Sequence, residues 1–182
     1  MPARNKGQLA LGPGLLRIGA LGSPEPADLI APWDAAWGEI GYTKDGSKIT
    51  YELDTGAVEV AEEIDPVHIA INSRNLKVAF AMMQLTASNL KVALNGGTIT
   101  TGSGIVVFEA HGPGEEQRIM LGFEASDGTE RWVFREGLQT GNVELDRKKG
   151  SEAANIGNEF QLARPAPNIA PFKAILSAPK RA

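Results

Sequence analysis

The chain has no cysteine, only two histidines, and aromatic residues at 6% of its 182 positions. Without cysteine there are no disulfide staples, thiolate zinc sites or thiol nucleophiles. Two imidazoles leave little material for histidine-based metal or triad chemistry. A sugar site stacks its ligand on exposed rings, and rings are scarce here; Trp33, Trp37 and Trp132 read as core or subunit-interface residues. No apolar stretch reaches the ~20 residues of a membrane-spanning helix. Residues 1–12, basic at Arg4 and Lys6, lack the apolar centre of an export signal. Basic residues are outnumbered, 18 against 22 acids, for a net charge of −4. Setting aside the four positive charges of the tails (Arg4, Lys6, Lys180 and Arg181) leaves −8 on the body. That balance excludes a generic nucleic-acid binder, which carries basic patches.

What the chain does have is 21 glycines and 11 prolines, the punctuation of many turns. Its length suits one domain that buries a core without staples. Residues 1–13 read as an N-terminal arm, 14–177 as a β domain and 178–182 as a basic tail. "LLRIGAL" (15–21) is a strand, followed by a loop with Pro24, Pro26 and Pro32. Residues 37–43 and 48–53 form the arms of a polar hairpin around Lys44-Asp45-Gly46-Ser47, because Asp-Gly favours a tight turn. Residues 57–64 are a further strand, broken at Asp65-Pro66. Val67, Ile69 and Ile71 then alternate on odd positions, whereas Leu76, Val78, Phe80 and Met82 alternate on even ones. A turn or bulge near Ser73-Arg74-Asn75 accounts for this change of phase.

One helix is predicted, over about residues 87–95. Thr86 is its N-cap, Leu85 and Leu90 form a hydrophobic staple, Leu90 and Leu94 face the sheet near Ala79 and Ala81, and Asn95-Gly96-Gly97 ends it. Strand patterns resume from Gly104 and recur to residue 176. The sum is roughly ten strands and one short helix, an all-β sandwich or barrel with extended hairpin and terminal arms.

Chemistry is sparse. "GGTITTGSG" (96–104) lacks the Gly-Lys-Ser/Thr ending of a phosphate loop and reads as a helix stop followed by a mobile loop. Glu62, Glu63, Asp65 and His68 lack the spacing of a calcium loop, and neighbouring acids on a strand point to opposite faces. Ser103 has no nucleophile-elbow context, and His111 sits in a Gly/Pro turn. No catalytic, cofactor-binding or metal-binding residue is assigned, and the chain is read as a non-enzyme.

The order of three segments is similar to a known family. "WDAAWGEIGYTKDGSKITYE" resembles the first hairpin of the major tail proteins of long-tailed bacteriophages. "NLKVAFAMMQLTASNLKVALNGG" resembles their long strand followed by one short helix. "RWVFREGLQTGNVELDRKKG…EFQLAR" resembles their closing strands. The match extends over about residues 33–176. The resemblance implies a structural virion protein whose subunits close into hexameric rings, stacked as a hollow tube for DNA delivery. It implies no catalytic residues and no cofactor. It implies partners in other copies of the chain and in tape-measure, tail terminator and distal tail proteins. DNA passes without specific binding, no membrane is involved, and the protein joins the virion tail after assembly in the host cytoplasm. On this reading Thr43, Lys44, Asp45, Gly46, Ser47 and Lys48 form the inter-ring contact hairpin. Glu59, Glu62 and Glu63 are the acids expected to face the lumen, because an acidic wall repels a sliding duplex. The alternatives are a monomeric β-sandwich that binds a carbohydrate or small ligand, and another ring-forming tail or secretion-tube component.

Overall fold

A computed structural model describes residues 13–146 and 154–178. Eleven strands and one short helix follow in chain order: β1 (Gly14–Ala20), β2 (Trp37–Glu39), β3 (Thr43–Val58), β4 (His68–Met82), α1 (Ala87–Ala93), β5 (Thr98–Gly102), β6 (Ile105–Glu109), β7 (Ile119–Ala125), β8 (Glu130–Gln139), β9 (Leu145–Asp146), β10 (Asn155–Leu162) and β11 (Phe172–Leu176). The expected all-β class with a single short helix is what forms. Among the described residues no helix is long and apolar enough to cross a membrane.

The main sheet runs β2-β1-β7-β8-β10-β4-β3, all antiparallel, with β11 added to β8 and β9 to β10. Its two ends, β2 and β3, are consecutive in sequence and joined by Ile40-Gly41-Tyr42 alone. So short a link forces the sheet to curl until its ends meet, as in a barrel. The link is held by the Ile40 N–H donating to Leu16 O and the Met83 N–H to Tyr42 O. Gly41 has φ +88°, and any side chain there would collide with Gln84. Leu16, Leu121, Phe134, Phe160, Phe80 and Met82 line the enclosed side as one core, with Phe80 and Phe160 stacked 5.7 Å apart. Residues from both halves of the sheet share that core, which is what burial of a curled sheet requires.

This topology corrects the predicted first hairpin. Residues 37–39 and 43–58 do not pair with each other; they are opposite ends of the strand order. Asp45 and Gly46 do take the left-handed conformations that an Asp-Gly turn needs, with φ 60° and 76°. They use them as a bulge inside β3, where register passes from Lys44↔Ala81 to Ser47↔Phe80. Of the helix stop and loop read at residues 96–104, the loop is likewise corrected: Thr98–Gly102 is a strand, and Ser103-Gly104, both at positive φ, close a tight hairpin to β6. The strand read at residues 57–64 ends at Val58.

Helix α1 starts as expected. The Thr86 hydroxyl oxygen accepts from the Asn89 N–H at 3.1 Å. Its docking differs in part. Leu90 and Val92 pack on the core and Ala93 is buried, but Leu94 is only half-buried at the C-cap. The buried Asn89 fixes the helix by donating to Ile40 O and Gln84 O. His111 holds the other end, with Nε2 2.7 Å from Leu94 O and Nδ1 2.6 Å from Gly112 O. Both partners are acceptors, so only the imidazolium, with both ring nitrogens donating, satisfies the two contacts together. The two carbonyls, with Glu116 and Glu115 nearby, raise the His111 pKa above its usual 6.5. A raised folded pKa contributes stability fully below the unfolded value and loses it as pH climbs through the folded value. Thermal melts should therefore show His111→Gln least stable relative to the parent below pH about 6.5. The gap should close at alkaline pH. A pH-independent difference would show that the ring stays neutral.

Candidate assembly surface

Beyond the core, β3 and β4 continue as an isolated ribbon. The outer part pairs residues 53–58 with 68–74, about 20 Å of strand at ~3.3 Å per residue. Residues 59–67 form its tip. Thr43, Lys44, Asp45, Gly46, Ser47 and Lys48, expected as the contact loop, lie at the opposite end, at the ribbon's base. The protruding hairpin of this protein is thus β3–β4.

Its two faces differ. On β3 the odd positions Ile49, Tyr51 and Leu53 share a face with Val78, Leu76 and Arg74 of β4. Past Arg74 the register shifts, with Asp54 opposite Ser73 but Thr55 opposite Ile71, so Asn72 is an extra residue. This bulge is the expected answer to the change of phase. It rotates Ile71 and Ile69 onto the same face as Leu76 and Val78; without it they would turn to the other side. One largely apolar stripe therefore runs from the core out along the ribbon, with Arg74 and Thr55 as its polar members. The opposite face carries Lys48, Thr50, Glu52, Asp54, Lys77, Asn75 and Ser73.

Among the described residues nothing covers the outer stripe. Tyr51 is 55% exposed, Leu53 47%, Ile71 60% and Ile69 65%. At the tip, Ile64 is 102% exposed, flanked by Glu62, Glu63 and Asp65. Glu59, Glu62 and Glu63 all sit on this exposed tip. Residues 49–73 hold six acids and no lysine or arginine, so the ribbon carries most of the −8 assigned to the body. Among the described residues no group of three or more His, Cys, Asp or Glu is arranged to hold a metal ion.

Where the stripe meets the body it forms one wall of a groove of about 780 Å³. Tyr51 and Leu76 face Leu162, Phe172 and Trp132 across it, and Arg74 and Arg164 belong to its lining. The groove arises because β8 gives one edge to two partners. Residues 137–139 pair with β10 and residues 130–134 with β11, so the two strands diverge. Trp132 stacks on Phe172 at 5.7 Å, half-buried. Trp37, by contrast, is a core residue, with Trp33 packed edge-on against it at 4.9 Å.

The body beneath is stiffened by charge. Arg131, with a side chain 5% exposed, pairs with Glu124 at 2.6 Å and donates to Asp28 O and Ala31 O. Glu124 also accepts from Trp33 Nε1. Glu25 bonds to Arg135, which holds its carboxyl below the usual range, and lies 3.8 Å from Lys173. These pairs clamp the proline-bearing loop to the outside of β8 and β11. No sequence pattern marks the contacts to this loop, because its residues and their partners on β7, β8 and β11 lie about 90–150 residues apart.

The described residues thus present a curled-sheet body and an amphipathic ribbon that none of them covers. A model of the family described as "Phage tail tube protein" matches residues 1–153, and the chain belongs to that family. No curated protein matches it.

Proposed function

We propose that this phage tail tube protein acts as a non-enzymatic subunit that closes into hexameric rings. The rings stack into the hollow tube through which DNA leaves the capsid. The observation that carries this reading is the exposed apolar stripe of β3–β4. A monomer gains nothing from holding Tyr51, Leu53, Ile69 and Ile71 in water, and contiguous apolar patches of this kind mark interaction sites. The ribbon is also too thin to be stable alone. Packed on a neighbouring subunit, its stripe gains the apolar surface that the described residues of its own chain do not supply. The stacking role expected of residues 43–48 passes to this ribbon, which is the segment that protrudes. Further contacts with tape-measure, tail terminator and distal tail proteins, and assembly in the host cytoplasm, belong to the same reading. Negative-stain microscopy of purified protein at rising concentration tests it. Rings or tubes are expected; a subunit that stays monomeric at every concentration overturns it.

A further inference from the structure

We propose that the ribbon tip of one subunit docks in the groove of the next, with Ile64 as the apolar anchor and the tip carboxylates set against Arg74 and Arg164. The inference rests on the tube reading above. Its basis is a match of shape and charge between two surfaces of the same chain. The groove has an apolar lining that includes Trp132, Leu162 and Phe172, and two guanidinium groups. The tip has one fully exposed apolar side chain between Glu62, Glu63 and Asp65. Arginine is the cation suited to such a site, since its planar fork binds carboxylates and it tolerates partial desolvation.

Charge selects this occupant over other segments of the chain. Residues 1–12 carry Arg4 and Lys6, residues 147–149 are Arg-Lys-Lys, and residues 178–182 carry Lys180 and Arg181. A groove with two arginines repels all of these and attracts the acidic tip. Reach decides between the subunit's own tip and another's. The ribbon is paired from Leu76 out to His68, about 25–30 Å of extended strand. A paired ribbon cannot fold back, so its tip cannot enter its own groove. Tip and groove are different patches, so the contact is head-to-tail and propagates from copy to copy.

The chain lacks cysteine, so Ile64→Cys and Ala163→Cys together introduce its only thiols; Ala163 lines the groove. Oxidised tubes of the double variant should run as a ladder of disulfide-linked subunits on a non-reducing denaturing gel, and either single variant should not. Independently, Glu62→Arg with Glu63→Arg should lower tube yield by roughly 2–30-fold, the loss of two exposed ion pairs. Adding Arg74→Glu and Arg164→Glu in the same chain should restore it. Tubes of the double-cysteine variant that give no ladder, together with a tube yield that ignores the charge reversal, overturn the docking and leave the tip acids free to line the lumen. A reversal that the reciprocal change fails to rescue also overturns it. A parent protein that never forms tubes overturns the tube reading itself.

Discussion

Leu53→Asp combined with Ile71→Asp should abolish tubes and leave the subunit folded. The two side chains lie on one face of the ribbon, 47% and 60% exposed. Polar replacement of half-exposed residues on a surface costs the monomer little, within about 0.5 kcal/mol, so the melting temperature should hold. In an assembled tube the same positions would be covered. Losing the burial of the exposed halves of one leucine and one isoleucine removes about 1.5–3 kcal/mol per contact, which is a ~10–10²-fold weaker association. Two uncompensated carboxylates in an apolar contact weaken it further. A tube repeats the contact in every subunit, so the loss should be complete at concentrations where the parent polymerises fully. Thr50→Asp, on the polar face nearer the body, is the control and should assemble. Tubes of normal length from the double variant would show that the stripe is not a subunit contact.

The opposite behaviour is expected at Arg131. Its guanidinium is buried and pairs with Glu124 through Nη2 and Nε at 2.6 and 3.1 Å. It donates to two loop carbonyls and lies 5.7 Å from the Trp33 ring centre. Arg131→Ala removes all of this and leaves Glu124 with Trp33 Nε1 and a distant Arg17, 3.9 Å away. Breaking a buried pair from one side costs about 3–5 kcal/mol, because the remaining charge stays desolvated. For a domain of this size that lowers the melting temperature by roughly 6–20 °C. Arg131→Lys keeps the charge but cannot span three acceptors, and should fall between. Below its lowered melting point the alanine variant should still form tubes, since the ribbon is untouched. A loss under ~1 kcal/mol would mean that water or Arg17 replaces the guanidinium.

The two experiments separate properties that look alike in the sequence. Val78 and Phe80 of β4 lie in the core, while Ile69 and Ile71 of the same strand lie on the exposed ribbon. All four come from the same alternating apolar pattern. Alternation states that a strand has an apolar face; it does not state whether that face is covered by the same chain or by another. For this reason the 37–53 segment read as a polar hairpin with little to bury. Tyr51 and Leu53 were in view, but the strand that completes their stripe was not.

Some features were decided locally and are legible residue by residue. The threonine cap of α1 depends on a hydroxyl and an N–H three residues apart. The extra residue at Asn72 shows as a switch from odd to even apolar positions, because strand side chains alternate with a period of two. The left-handed Asp45-Gly46 pair follows from the low steric cost of that conformation for these residues. What such a pair is used for is not local. Asp-Gly closes a hairpin only if the flanking segments pair with each other. Here residues 37–39 pair with β1 and residues 43–58 with β4, since a curled sheet buries Leu16, Ile40 and Met82 together. The choice of partner is made by the burial of apolar groups far apart in the chain, which no window of sequence contains. The same holds for the clamp that ties Arg131 and Glu124 to the proline-bearing loop and for the groove beside β11, both of which join segments far apart in the chain.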